Sequence, residues 1–113
     1  MADQNIPSLE IGNLKIGGIQ GGMGLGISAK RLASASANAG WGGTIASVGL
    51  GAIRGHFAEL IKINRDRIQK ASGEERKKIY DEIYALANHV ALIEEIEETR
   101  KLTKGVIGVN IMY

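Results

Sequence analysis

Residues 17 to 28 read Gly-Gly-Ile-Gln-Gly-Gly-Met-Gly-Leu-Gly-Ile-Ser, a run in which a short apolar stretch breaks into clustered glycines and ends on a serine. Few local structures accept such a run. Ile19 and Gln20 suit the end of a strand, Gly21 to Gly26 a loop whose backbone can approach a ligand closely, and Ser28 the N-cap of a helix that follows. The first amides of a helix are unpaired and partly positive, so anions gather there. The expectation is a place for a phosphate or a flat ring.

The flanking segments give that loop its setting. Leu9, Ile11, Leu14 and Ile16 surround Gly12-Asn13, a dipeptide that favours a tight turn, so residues 9–16 read as a small β-hairpin. Ala29 to Ala39 reads as an alanine-rich helix able to lie close to a sheet, with Gly40 placed to end it. Gly43 to Val48 reads as a short buried strand closed by Gly49 and Gly51. Residues 52–104 then turn helical and charged. Phe57, Leu60, Ile61 and Ile68 fall at helical spacing, and Ser72-Gly-Glu-Glu75 has the offset of a capping box. Ile79, Ile83, Leu86, Val90 and Ile93 recur every three or four residues, which predicts one apolar stripe facing a core or a partner. Gly105 stops this helix, and Val106 to Met112 reads as another buried strand with Asn110 near its end.

Strand, helix, strand, helices, strand is the order of parallel βαβ units, found in doubly wound sheets and in eight-fold barrels. Both put ligands at the carboxyl ends of the strands. The irregular features all map there: Gly21 to Gly26, Ser47 to Gly51, and Asn110.

Composition narrows the function classes. A chain of 113 residues with 16 glycines, about double the usual share, needs a reason for them, and close backbone approach is one. The 14 basic and 12 acidic residues are interspersed, so neither nucleic acid nor a membrane surface is expected as a partner. Without cysteine there are no disulfides, thiolate metal sites or cysteine nucleophiles. No signal-peptide pattern and no long apolar run occur, which reads as a cytoplasmic protein. Two nucleotide motifs nearly fit. Gly21 and Gly26 have P-loop spacing, but Ile27 stands where the lysine must be; Gly24, Gly26 and Ala29 match a relaxed dinucleotide fingerprint whose acidic partner is missing beside Ser47 and Val48.

Several blocks together resemble the N-terminal part of the nitronate monooxygenase family, formerly the 2-nitropropane dioxygenases. They are Ile19 to Ser28, Leu32-Ala33, Asn38-Ala-Gly40, Ile45-Ala-Ser-Val-Gly49, Leu92-Ile-Glu-Glu-Ile96 and Gly105 to Met112, in order across nearly the whole chain. The resemblance implies an α/β fold, about three β/α units of a TIM (β/α)8 barrel after the hairpin, with residues 17–113 as βαβαβ and an enlarged helical connection at 52–104. It implies FMN at the carboxyl ends of the strands. Gly22, Met23 and Gly24 would lie against the isoalloxazine ring, Asn110 would hydrogen-bond its pyrimidine side, and Ser47 is a further cofactor-binding candidate. The family's catalytic histidine belongs to later strands, so neither His56 nor His89 takes its role; His56 is expected in a loop and His89 within the long helix. The implied reaction is oxidation of an alkyl nitronate by flavin and oxygen, with the 113 residues inactive alone as a piece of a larger barrel. The related flavin-dependent enoyl-acyl carrier protein reductases supply an alternative reaction. An alternative of another class is a non-catalytic fragment that self-associates through the Ile79 to Ile93 stripe, or that joins the rest of a barrel. Gly17-Gly18 and Trp41-Gly-Gly depart from the family pattern.

Overall fold

A computed structural model describes residues 9–23 and 29–111. The expected hairpin forms from β1 (Leu9–Ile11) and β2 (Leu14–Ile16), antiparallel with Ile11 opposite Leu14. Gly12 turns the chain at φ +58°, where a side chain would be strained. The central unit is α1 (Lys30–Asn38), β3 (Gly43–Ala46), α2 (Leu50–Ile53), α3 (His56–Ile63), α4 (Arg65–Lys70), α5 (Gly73–Leu102) and β4 (Ile107–Asn110). β3 and β4 pair in parallel, Gly43 opposite Ile107 and Ala46 opposite Asn110. The structure is thus mixed helix and strand, with the parallel pairing expected of βαβ units.

The expected first strand contracts to a single parallel bridge, Ile19 with Gly42. Gly42 donates to the Gly18 carbonyl at 2.7 Å and accepts from Gln20 N–H at 2.9 Å. One step further the ladder stops, because the Thr44 amide donates to the Gln20 side-chain oxygen at 2.8 Å rather than to backbone. A side-chain amide has taken the place of the next rung. β3 also ends at Ala46, two residues short of Val48. Along β3, Ile45 packs with Ala33, Leu50 and Ala91, and Val109 of β4 packs against the same cluster. Strand alternation therefore turns Ile45 and Val109 toward the helices, and Thr44, Ala46, Gly108 and Asn110 toward the opposite face.

Small residues set how closely the elements pack. A Cβ on Gly43 of β3 would overlap the Ala33 carbonyl oxygen of α1, and one on Gly51 of α2 would fall 2.6 Å from the Ala87 carbonyl carbon of α5. The alanine-rich α1 does lie close to the sheet. The two sequence departures also explain each other: the Trp41 ring lies where a side chain on Gly18 would be, its Cζ3 only 2.7 Å from the Cβ position.

The long helix departs from its predicted stripe. α5 has 30 residues, about 45 Å at 1.5 Å per residue, in a molecule with extents of 63 × 23 × 21 Å. Its buried positions are Ile79, Ile83, Ala87, Ala91, Glu95 and Thr99. This is a strict four-residue row, which winds round the axis instead of running along it. Ile79 and Ile83 are buried against Ile68 and Ala71, with Phe57, Leu60 and Ile61 beside them, while Leu86 and Ile93 stay exposed. Of the stripe from Ile79 to Ile93, two residues lie inside the chain's own core, Val90 is half-buried, and Leu86 and Ile93 face outward. Ser72 occupies the N-cap of α5 but makes no capping bond with its side chain. The Ala71 carbonyl just before it is held instead by the Arg76 guanidinium, at 2.8 and 3.1 Å. His56 begins α3 and is not in a loop. Among the described residues no helix is long and apolar enough to cross a membrane.

Candidate functional site

The carboxyl ends of β3 and β4 present two different surfaces. On the face turned away from the helices, Gly22 meets Asn110. A Cβ added to Gly22 would lie 2.6 Å from Asn110 Nδ2 and 3.1 Å from its Cβ, so a side chain here would push the Asn110 amide aside. Gly22, Gly108 and Asn110 are exposed, and Met23 is 47 % exposed. Gln20 fixes the start of the loop through its bond to Thr44. The structure thus brings together two residues that the sequence singled out from opposite ends of the chain. Gly24 and Ser28 lie outside the described residues.

Ser47 belongs to the other surface. Its amide continues the ladder by donating to the Asn110 carbonyl at 3.1 Å. The residue itself lines a cleft of about 490 Å³ between the strand ends and α5, together with Asn88, His89 and Tyr84. Val48, Leu92 and Ile111 supply most of the apolar wall. Asn88 and His89 were not legible as site residues, because nothing in a helical run shows which turn will cross the strand ends. The signal that fixes it is Gly51 of α2: its closeness to Ala87, and the bond from its amide to Asn88 Oδ1 at 2.9 Å, lock that turn of α5 against the helix that follows β3.

The expected Ser28 cap lies outside the described residues, and the first amide described in α1 is already engaged. The N-cap is Ala29, without a side-chain bond, and the Lys30 amide donates to the Glu95 carboxylate at 2.7 Å. Glu95 is buried to 3 % exposure and is held by the Arg54 guanidinium, which also contacts Glu98 at 2.7 Å and Glu94 at 3.1 Å. Lys30 Nζ reaches Glu98 at 3.6 Å, and His56 Nε2 reaches Glu94 at 2.8 Å. The His56 hydrogen bond, with Arg54 behind it, holds the Glu94 carboxyl below its usual range, and Arg54 does the same for Glu98. The hydrogen bond that Arg54 donates to Glu98, opposed by burial and helped by the one to Glu95, raises the Arg54 guanidinium in turn. A fixed carboxylate already satisfies this helix terminus, so a second anion would meet like charge.

These observations test the fit of a flavin. The open face at Gly22 and Asn110 has the close backbone and the amide that a ring edge needs. At α1 the Lys30 amide is taken by Glu95, so it is not open to a phosphate. Among the described residues no group of acidic, histidine or cysteine side chains is arranged to hold a metal ion. Comparison with protein-family models, with curated proteins and with solved structures finds no match.

Proposed function

We propose that this chain carries the ring-binding side of an FMN site in an oxidoreductase of the nitronate monooxygenase type, its strands forming the opening part of a (β/α)8 barrel. The observation that carries the reading is the contact of Gly22 with Asn110 on the exposed face at the strand ends. The resemblance implies that pair as the ring's neighbours, and the parallel β3–β4 pairing supports the same reading.

In this reading the Asn110 amide donates and accepts at the polar edge of the ring. The backbone at Gly22 and Met23 approaches its flat side, and the half-exposed Met23 side chain covers apolar surface beside it. Bound FMN supplies the electron-transfer chemistry by which an alkyl nitronate is oxidised, with oxygen as the terminal acceptor. The chain's own contribution is to bind and orient. Both histidines lie with the helices, His56 paired to Glu94 and His89 in the α5 cleft, so neither supplies the reacting base.

Titration of the full chain with FMN and with lumiflavin, followed by flavin fluorescence, tests this. The two flavins should bind with similar affinity, because the contacts this reading rests on are all to the ring, and Asn110→Ala should weaken both about tenfold. Unchanged flavin fluorescence, or an Asn110→Ala chain that binds as well as the original, would overturn the reading.

A further inference from the structure

The cleft on the helical side is separate from the Gly22–Asn110 face and has its own chemistry. Its volume of about 490 Å³ lies within the range of small-molecule sites. The apolar part comes from Val48, Leu92 and Ile111, and the Tyr84 ring closes one side. That ring is steadied by an edge-to-face contact with Phe57, centroids 5.9 Å apart at 79°.

The polar part is biased toward donors. Asn88 has its carbonyl oxygen committed to the Gly51 amide, so the function it brings to the cleft is its NH₂ group. Ser47 brings a hydroxyl and His89 an imidazole N–H, each able to donate. Among the described residues no side-chain carboxylate lines the cleft. Donors grouped at one part of an apolar cleft match a ligand with an acceptor head and an apolar body. The position is also rigid, because the Gly51–Ala87 approach and the Asn88 bond fix this turn of α5 against α2, the helix that leaves the end of β3.

We propose that the cleft between α5 and the end of β3 binds a small amphipathic monocarboxylate. The carboxylate accepts from Asn88 Nδ2, His89 and the Ser47 hydroxyl, and the apolar body lies against Leu92, Ile111 and the Tyr84 ring. The proposal stands independently of the flavin reading, since it uses the opposite face of the strands.

The test is titration of the ¹⁵N-labelled full chain with hexanoate, and with hexanol as the neutral probe of equal tail, followed by amide shifts. Hexanoate should move Ser47, Asn88 and His89 and bind about tenfold more tightly than hexanol, the value of hydrogen bonds to a charged acceptor. Asn88→Asp is the decisive variant. It keeps an oxygen for the Gly51 amide, so the fold contact survives, while it replaces the donor by a negative charge. Hexanoate binding should fall at least tenfold and hexanol binding should stay within about twofold. His89→Gln, at an exposed position, should weaken hexanoate about threefold, since a glutamine retains a donor of different reach. Equal binding of the two probes, an Asn88→Asp chain that takes hexanoate as before, or shifts confined to other surfaces would each overturn the proposal.

Discussion

The two halves of α5 are held by opposite means. From Gly73 to Ala87 the helix buries Ile79 and Ile83 against α3, α4 and Ala71, an apolar contact without buried charge. From Ala91 to Thr99 its buried row is alanine, glutamate and threonine. There Glu95 reaches the start of α1 and Arg54 of α2 at once, and Thr99 satisfies its hydroxyl on the Glu95 carbonyl at 2.7 Å. The first half needs volume, and many apolar residues can supply it. The second half needs specific partners, because a buried carboxylate without its guanidinium costs far more than a missing methyl group. The start of α1 and the end of α2 meet α5 at this Arg54–Glu95 junction, so this half adds a charged junction to the apolar cluster of Ala33, Ile45, Leu50 and Ala91, whereas the distal arm rests on its apolar contacts.

Substitutions should separate the halves. Arg54→Met leaves Glu95 buried and unpaired and should destabilise the chain by about 3 kcal/mol in urea unfolding. Hydrogen exchange should then open the amides at the start of α1 before those near Ile83. Ile83→Ala should cost about 2–3 kcal/mol and reverse that order, since it empties the apolar half alone. An equal loss of protection in both halves would mean that they form one cooperative unit. Gly51→Ala should cost about 1–3 kcal/mol, because the new Cβ meets the backbone of Ala87. The same variant should shift the amide of Asn88, as α5 is pushed away from α2.

Acid sharpens the contrast without a substitution. Glu94 and Glu98 are held below the ordinary carboxylate range by His56 and Arg54. A depressed carboxyl contributes stability that is present above its unfolded value and lost as pH falls through its folded value. Melting temperature should therefore fall as pH drops below about 4.5, the usual carboxyl range. Protection near α1 should go before protection near Ile79. The smallest effect is expected at the exposed Leu86, where Leu86→Gln should change stability by no more than about 0.5 kcal/mol. A large loss there would restore the apolar stripe that the spacing predicted.

Much of the fold was legible because its signals are local. Gly12-Asn13 announced the hairpin, and the alternation of short apolar runs with helical stretches announced parallel pairing. The buried row of α5 was not legible. Hydrophobic periodicity selects Leu86 and Ile93, whereas burial selects Ala87, Ala91 and Glu95, positions made interior by distant partners: Gly51 for Ala87, Ile45 and Leu50 for Ala91, and Arg54 for Glu95. The first strand failed for a related reason: Gln20 looked like a strand residue, yet its side chain ends the ladder it was expected to extend. At the site, Gly22 and Asn110 were named from sequence and do meet, while Ser47 belongs to a different surface. Strand parity decides between the faces, and parity depends on a register that sequence leaves open.

The most direct test of the flavin face is an amide-shift map of the ¹⁵N-labelled chain with FMN added. Binding at the open strand ends predicts changes concentrated at Gly22, Met23, Gly108 and Asn110, and their loss in Asn110→Ala. Shifts centred on Ser47, Asn88 and His89, or no shifts at all, would contradict it.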